Sequence, residues 1–287
     1  MSAARFRKTL LAVPWVWAAL LFFLPLAIVV KISLAETAVG VPPYTALIDH
    51  GALRATLANY RDVFADSFYA GAYVSSVKIA GLATILAVLA GYPMAYAIAR
   101  APERRRGLLL LLVTLPFWTS LLIRIYAWIG LLRPGGVINA VLESVGLIDT
   151  PLQMINTTAA VCFGMVYAYL PFMVLPLYAR LERLDPALVE AAGDLGATPW
   201  RAFLSVTLPL SLPGVMAGAL LVFIPCVGEF VIPDLLGGPD TVMIGKVLWS
   251  EFFSSRDWPL SAALTVVMMA VLVIPVLAVQ RTLGEEP

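Results

Sequence analysis

Six long apolar stretches dominate this sequence and decide what it can fold into. Each is about 20 residues or longer, the length that an α-helix needs to cross the hydrocarbon core of a bilayer. Backbone groups find no water there, so such stretches must be helical. The stretches are Leu10–Ser33, Ala72–Ala99, Gly107–Leu132, Thr157–Ala179, Leu212–Ile232 and Pro259–Gln280. The predicted fold is an all-α, polytopic membrane bundle of six transmembrane helices, forming a single domain over residues 1–287.

Composition excludes most other classes of protein. Only 13% of the residues are charged and 61% are hydrophobic, whereas a soluble domain is about 25% charged. So few charges cannot cover a water-exposed surface, which excludes a soluble enzyme. The formal net charge of +1 gives no basic field for nucleic acid. Two cysteines and one histidine exclude a disulfide scaffold and a Cys/His metal cluster, so we expect no metal site.

The distribution of lysine and arginine predicts the orientation. Basic residues are more frequent at the N-terminus, in the second and fourth connections and after the last stretch, and cytoplasmic loops carry such an excess. Both termini are therefore predicted to face the cytoplasm. A cleaved signal peptide is the alternative for the N-terminus, but its apolar region would span only ~7–15 residues. The longer run from Leu10 to Val30 favours a retained helix. The basic residues on the cytoplasmic side are Arg5, Arg7, Lys8, Arg100, Arg104, Arg105, Arg106, Arg180, Arg183, Arg201 and Arg281.

The fourth connection, residues 180–211, is predicted to contain two short helices that meet at a bend. Gly196 suits the bend because glycine adopts positive φ without strain. Pro209 and Pro213 are predicted to end the second helix before the fifth span. A capping residue followed by a first-turn proline marks each helix start. These start signals are Asp185 with Pro186, and Thr198 with Pro199.

The apolar faces of these two helices exceed what a small solvated loop exposes. Two interpretations stay open: the faces dock on a cytoplasmic partner, or they pack under the chain's own bundle. The apolar residues concerned are Leu184, Leu188, Ala191, Ala192, Leu195, Trp200, Phe203 and Leu204.

The same connection contains a spaced motif. Glu190-Ala191-Ala192 is followed by Gly196, then by nine intervening residues, and then by Val206-Thr207-Leu208-Pro209. This pattern resembles the EAA loop of binding-protein-dependent ABC importer permeases, with Val206 where the family usually has isoleucine. The resemblance implies a type I ABC importer permease fold. It also implies that residues 180–211 form a coupling loop that docks in a groove of the ATPase subunit. The coupling residues implied are Glu190, Ala191, Ala192, Asp194, Leu195, Gly196 and Ala197.

Six further segments carry a second, narrower resemblance: Lys31–Glu36, Pro42–Thr45, Leu122–Trp128, Val227–Pro233, Leu235–Asp240 and Arg256–Pro259. They resemble the spermidine/putrescine branch of that family, most of all its putrescine-type first permease. The resemblance implies a non-catalytic subunit in the bacterial inner membrane. Implied partners are a second permease subunit, an ATPase dimer that binds ATP and Mg, and a periplasmic polyamine-binding protein; this chain itself would bind no cofactor.

The loaded binding protein is expected to dock on the outer loops, which include Leu34–Gly71 and Pro233–Trp258. Pro42-Pro43 breaks any helix in the first of these loops. The segment Leu57–Phe68 is predicted to be a short amphipathic helix lying on the membrane surface.

Charges inside the spans are candidates for function, because a charge in hydrocarbon is costly. Glu229, near the outer end of the fifth span, suits a cationic polyamine, and aromatic faces would add cation–π attraction. Trp118, Tyr126 and Tyr169 are the candidate aromatic liners, and bundle packing is their alternative role. Glu229 has a structural ion pair with Arg124 as its alternative. Arg124 is predicted to be a structural or gating charge in the outer third, where it could snorkel.

Other functions fit the sequence less well. A permease for another small cationic or organic solute stays open. A secondary transporter commonly shows inverted repeats around a midplane ion site, and none is visible here. A membrane enzyme would need a nucleophile–base pair, paired carboxylates or metal-ligand spacing. Gly245-Lys246 lacks the rest of a phosphate-binding loop, so ATP must be hydrolysed by a separate subunit.

Overall fold

The structure is a computed structural model that describes residues 12–49 and 52–284. Arg5, Arg7, Lys8 and His50 lie outside the described residues. The chain divides into two compact units: Met1–Ala70 with Val247–Val271, and Gly71–Lys246 with Leu272–Pro287.

The described residues are mostly helical, with one two-residue antiparallel strand pair, β1 (Ile48–Asp49) and β2 (Ala52–Leu53). The helices before the fourth span are α1 (Ala12–Ser33), α2 (Ala58–Ala65), α3 (Ser67–Arg100), α4 (Glu103–Thr114), α5 (Leu121–Leu132) and α6 (Val137–Ser144). The fourth span and the helices after it are α7 (Thr158–Glu182), α8 (Pro186–Asp194), α9 (Pro199–Val227), α10 (Val231–Leu236), α11 (Ile244–Trp249) and α12 (Trp258–Gly284).

Six helices are long and apolar enough to cross a membrane, which confirms the predicted number of spans. They are Ala12–Ser33, Ser67–Arg100, Leu121–Ser144, Thr158–Glu182, Pro199–Val227 and Trp258–Arg281. The predicted short helix between the first two spans is present as α2. Its place on the membrane surface stays a prediction. The prediction of one continuous helix over Gly107–Leu132 is wrong, because a 3₁₀ turn at Leu115–Trp118 separates α4 from α5. Pro116 and the extended residues Thr119 and Ser120 explain the interruption.

The fifth span also differs from its prediction. The second helix of the fourth connection does not end at Pro209 or Pro213; it continues as α9 to Val227. Pro209 falls in the first turn of the α-helical segment that follows a π-helical turn at Phe203–Thr207, where its missing amide hydrogen costs least. Pro213 lies inside that segment, and membrane helices tolerate such a proline. The predicted stretch Leu212–Ile232 is interrupted instead at residues 228–230, between α9 and α10.

In the unit that holds most of the spans, α7 is the central helix. Gly218 of α9 lies so close to α7 that a Cβ there would be 2.8 Å from Met173 Sδ and 3.0 Å from the Met173 carbonyl oxygen. Gly91 of α3 makes a similar approach to Met173. Small residues at helix contacts let membrane helices pack by van der Waals contact, since lipid supplies no hydrophobic driving force.

The broken helix α4–α5 runs antiparallel to α7 along its whole length. Arg106 pairs with Glu182 at 3.3 Å at one end. The rings of Phe117 and Phe172 are 5.0 Å apart in the middle, and those of Trp128 and Phe163 are 4.5 Å apart further along. The 3₁₀ turn is therefore level with the middle of α7, about half-way through the membrane.

The other unit is held by polar contacts around the end of α1. The Asn59 side-chain amide of α2 donates to the carbonyl oxygens of Ser33 (2.9 Å) and Ala35 (2.8 Å). Thr37 donates to the carboxylate of Asp257 at 2.8 Å, which ties the first outer loop to the start of α12. These bonds order a loop that the sequence marks only as a helix-breaking segment.

We expect Gly218→Val to lower the thermal stability of the purified complex. The added side chain would force α9 away from Met173, and overpacking of this kind costs about 1–3 kcal/mol. Gly81→Val on α3 is the matched control, because no atom lies within 4 Å of a Cβ there. Melting temperatures in detergent measure the difference; equal values for the two variants would contradict the close contact.

Candidate functional site

The fourth connection, residues 180–211, forms the predicted bent pair of helices. The Asp185 carboxylate accepts from the Ala187 amide at 3.0 Å and caps α8. The Thr198 hydroxyl accepts from the Arg201 amide at 3.4 Å and caps α9. Gly196 has φ +86°, the left-handed conformation that the predicted stop requires. The bend is therefore built by local signals that are all readable in the sequence.

The hairpin of α8 and the first turns of α9, residues 186–207, leaves much of its apolar surface uncovered. Leu195 is 90% exposed and Trp200 is 66% exposed. Next to them is an open depression of about 500 Å³, lined by Leu195, Gly196, Ala197, Arg201, Leu204 and Ser205. Of the two interpretations, docking on a partner fits this exposure better than packing under the bundle.

One aromatic residue fixes the hairpin to the bundle. Phe203 packs edge-on against Tyr92 (5.6 Å) and Tyr96 (5.8 Å) of α3 and stacks on Trp200 at 5.4 Å. Phe203 is also the first residue of the π-helical turn. The hairpin is thus attached at its base while its tip, around Leu195, stands free.

The predicted coupling residues lie together at this tip. Glu190, Ala191, Asp194, Leu195 and Gly196 are exposed. Ala192 and Ala197 are half-buried, and the Ala197 amide donates to the Ala192 carbonyl oxygen at 3.0 Å to close the turn. The surface is therefore accessible from outside the chain.

Glu229 lies in the break between α9 and α10, and hydrogen bonds hold its side chain. Its bond to Tyr169 places it level with the middle of α7, so the predicted position near the outer end of the span is wrong. One carboxylate oxygen accepts from the backbone amides of Phe230 (3.1 Å) and Val231 (2.9 Å), at the start of α10. The other oxygen accepts from the hydroxyl of Tyr169 on α7. Glu229 is only 8% exposed. The carboxylate thus satisfies backbone donors that hydrocarbon would leave without partners.

Arg124 does not form the alternative ion pair with Glu229. Its guanidinium lies over the ring of Phe117 at 5.8 Å and over that of Tyr167 at 5.9 Å. Nε and Nη1 are buried without a hydrogen-bond partner among the described residues. Because Phe117 is in the 3₁₀ turn, the side chain points back toward the middle of the bundle, and the prediction that it snorkels outward is wrong. The first-turn position of Arg124 in α5 explains this, since helical side chains point toward the N-terminus.

The three predicted aromatic liners are not brought together. Tyr169 is half-buried and bonded to Glu229. Trp118 and Tyr126 are 84% and 60% exposed, so they lie on the outside of this chain.

The 3₁₀ turn is the feature that sequence reasoning missed. Trp118, Thr119 and Ser120 are exposed, although they interrupt a helix half-way through the membrane. Irregular backbone at that depth is tolerated only where protein or water covers it, never lipid. The exposed turn therefore faces either an aqueous passage or another subunit. Pro116 followed by Thr119-Ser120, a capping type of residue pair inside an apolar run, is the signal that could have found it.

Comparison with known proteins defines the class. The family model described as "Binding-protein-dependent transport system inner membrane component" matches residues 87–285. The chain belongs to this family: it is a multi-pass inner-membrane permease of an ABC importer. Six membrane helices and an exposed EAA-type hairpin agree with that membership.

Within the family, the chain is similar to permeases of one transport system. It is 40% identical over 272 residues to the spermidine/putrescine transport system permease protein PotB of Haemophilus influenzae, covering 94% of this chain and 92% of the relative. It is 42% identical over 217 residues to PotB of Escherichia coli K12, covering 76% of this chain and 78% of the relative.

A solved structure supports the fold. A chain of a bacterial ABC transporter that imports the acidic polysaccharide alginate matches with a TM-score of 0.71 at 17% identity. The match covers 96% of this chain and 94% of that chain. The predicted importer permease fold is thereby confirmed.

We expect Glu229→Ala to destabilise the complex more than Glu229→Gln. Alanine removes the carboxylate that accepts from the amides of Phe230 and Val231, and loss of a helix cap costs about 0.5–2 kcal/mol. Glutamine keeps an oxygen that can accept from them. Thermal unfolding of the purified complex in detergent measures both variants. Equal losses would show that capping is not what the carboxylate contributes.

Proposed function

We propose that this chain is the transmembrane permease subunit of an ATP-driven polyamine importer and forms half of the translocation pathway. A second permease would supply the other half, and an ATPase dimer would bind ATP and Mg on the cytoplasmic side. A periplasmic polyamine-binding protein would deliver the substrate. Both termini would face the cytoplasm. The identity to PotB permeases over most of the chain supports the substrate class.

The exposed hairpin around Gly196 is the observation that carries the proposal. Beside Leu195, at its apolar tip, is an open depression of about 500 Å³ in which a partner protein could bind. In this proposal, the tip fits into a groove of the ATPase subunit and moves when that subunit closes on ATP. Glu190 and the turn to Ala197 are the contact.

The continuity of α9 supplies a path from the ATPase to the middle of the membrane. This single helix runs from Pro199, at the hairpin, to Val227. Its 29 residues span about 43 Å at ~1.5 Å per residue. Glu229 follows at its end and is bonded to Tyr169 of α7. A displacement of the hairpin would therefore move the break that contains Glu229, with the π-helical turn at Phe203–Thr207 as the place where the helix adjusts.

The substrate is a flexible multivalent cation, so its passage needs groups that replace water. We assign this role to the carboxylate of Glu229 together with Tyr169, and to Trp118 and Tyr126 on the exposed face. The 3₁₀ turn beside Trp118 supports this assignment, because its irregular backbone has to face water or another subunit. Arg124 would act as a structural or gating charge, since a free cation on the pathway would repel the amine.

We expect Gly196→Val to uncouple ATP hydrolysis from transport. A β-branched residue resists φ +86°, so the hairpin tip would change shape, and uptake would fall at least about tenfold while the complex still assembles. Gly196→Asn is the matched control, because asparagine tolerates the left-handed region. Uptake and ATPase activity in proteoliposomes measure the effect. Normal uptake by the valine variant would contradict the coupling role.

We expect Glu229→Gln to weaken polyamine uptake while the complex remains intact, because the amide keeps the hydrogen bonds but loses the negative charge. Glu143→Gln is the control, since Glu143 is an exposed carboxylate on α6. Uptake of radiolabelled putrescine and spermidine, each competed by the other, measures affinity and preference. Unchanged uptake kinetics in the Glu229→Gln variant would remove Glu229 from the pathway. Failure of the wild-type complex to take up either amine would refute the substrate class.

A further inference from the structure

A groove of about 370 Å³ runs along α3 beside the start of α7 and takes no part in the proposed transport mechanism. Lys78 is the charged residue in its wall. The groove is lined by Gly71, Val74, Ser75, Lys78, Ile79, Leu82 and Thr158.

The position of Lys78 along α3 places it at a membrane surface. Lys78 precedes Arg100, at the end of α3, by 22 residues, which correspond to about 33 Å of helix. The hydrocarbon core is about 30 Å thick. If Arg100 marks one surface, Lys78 is at the opposite one. Thr158, the first residue of α7, lies in the same groove and agrees with that level.

The order of residues along the groove follows the order of groups in a phospholipid. Leu82 and Ile79, at the deep end, are apolar and suit an acyl chain. Lys78 and Ser75 come next and offer an ammonium group and a hydroxyl at the level of the phosphate. Gly71, one further step outward, leaves open space where a side chain would otherwise stand. The groove is therefore apolar toward the membrane core and cationic at the surface.

The ammonium group of Lys78 has no partner within the part of the chain that the structure describes. Lys246, by contrast, pairs with Asp234 at 3.0 Å. The N-terminus of the 25-residue helix α7 adds its partial positive charge at the same level. The groove thus presents a positive potential, and an anion would complement it.

We propose that this groove binds an anionic glycerophospholipid, with its phosphate at Lys78 and Ser75 and an acyl chain along Ile79 and Leu82. Val74 and Leu82 are exposed on the flanks, at depths where the bilayer itself covers apolar side chains. A lipid accounts for both the charge and this apolar wall, whereas a free anion would account only for the charge.

The contribution of the Lys78 charge to lipid binding is tested on the complete importer complex in detergent. Native mass spectrometry during titration with dioleoylphosphatidylglycerol, or with phosphatidylcholine for comparison, counts the bound lipids. We expect Lys78→Gln to weaken the tightest phosphatidylglycerol binding about fivefold, the effect of one lysine near an anionic surface, and Lys78→Arg to preserve it. Lys31→Gln is the control, because Lys31 is an exposed lysine at the end of α1.

The shape of the groove is tested with a matched pair of glycines on α3. At both Gly71 and Gly81, an added Cβ would have no atom within 4 Å, so a side chain can start at either position without a clash. We expect Gly71→Leu to reduce phosphatidylglycerol binding by filling the groove, and Gly81→Leu, which is outside the groove, to leave it unchanged.

Three results would overturn the proposal. The first is equal phosphatidylglycerol binding by the wild type and Lys78→Gln. The second is displacement of the bound lipid by millimolar inorganic phosphate, which would indicate a free-anion site. The third is cross-linking of Lys78 to the partner permease by a short amine-reactive reagent, which would indicate a protein interface.

Discussion

The constraint on which the rest of this structure depends is that hydrocarbon offers backbone amides and carbonyls no hydrogen-bond partner. Each apolar stretch must therefore be helical, and each interruption must be compensated by the protein. The break between α9 and α10 is compensated by Glu229, whose carboxylate accepts from two amides of the next helix. The 3₁₀ turn before α5 has no such cover within the described part of this chain, since Trp118, Thr119 and Ser120 are exposed. The chain itself thus compensates the break at Glu229, whereas the 3₁₀ turn needs a water-filled passage or a partner subunit beside it.

In the proposed function, the carboxylate of Glu229 serves structure and transport together. A buried charge is tolerated only with hydrogen bonds around it, and Glu229 has Tyr169 and two backbone amides. In the proposed function, the same negative group attracts a cationic substrate. Movement of α9 would then alter the helix cap and the substrate contact at once. This shared use is a physical reason for placing a carboxylate at the end of the helix that carries the coupling hairpin.

The hairpin around Gly196 was predictable from sequence almost residue by residue. Its caps, first-turn prolines and positive-φ glycine act within one helical turn, so local chemistry decides them. The end of its second helix was predicted wrongly. Pro209 and Pro213 usually stop a helix, but α9 continues through both. The π-helical turn before them begins at Phe203, which packs against Tyr92 and Tyr96 of α3. That contact is distant in sequence, and no local signal encodes it.

The sequence by itself determined the number of membrane helices, the bent hairpin around Gly196 and the family, because apolar length, capping residues and spaced motifs are local properties. The tertiary structure alone decided how the charges inside the membrane are used. It bonded Glu229 to Tyr169 instead of Arg124, and it turned Arg124 back over Phe117 and Tyr167. Those outcomes depend on which helices lie beside α7 and at what level. The distance between charges on different helices is set only when the helices pack.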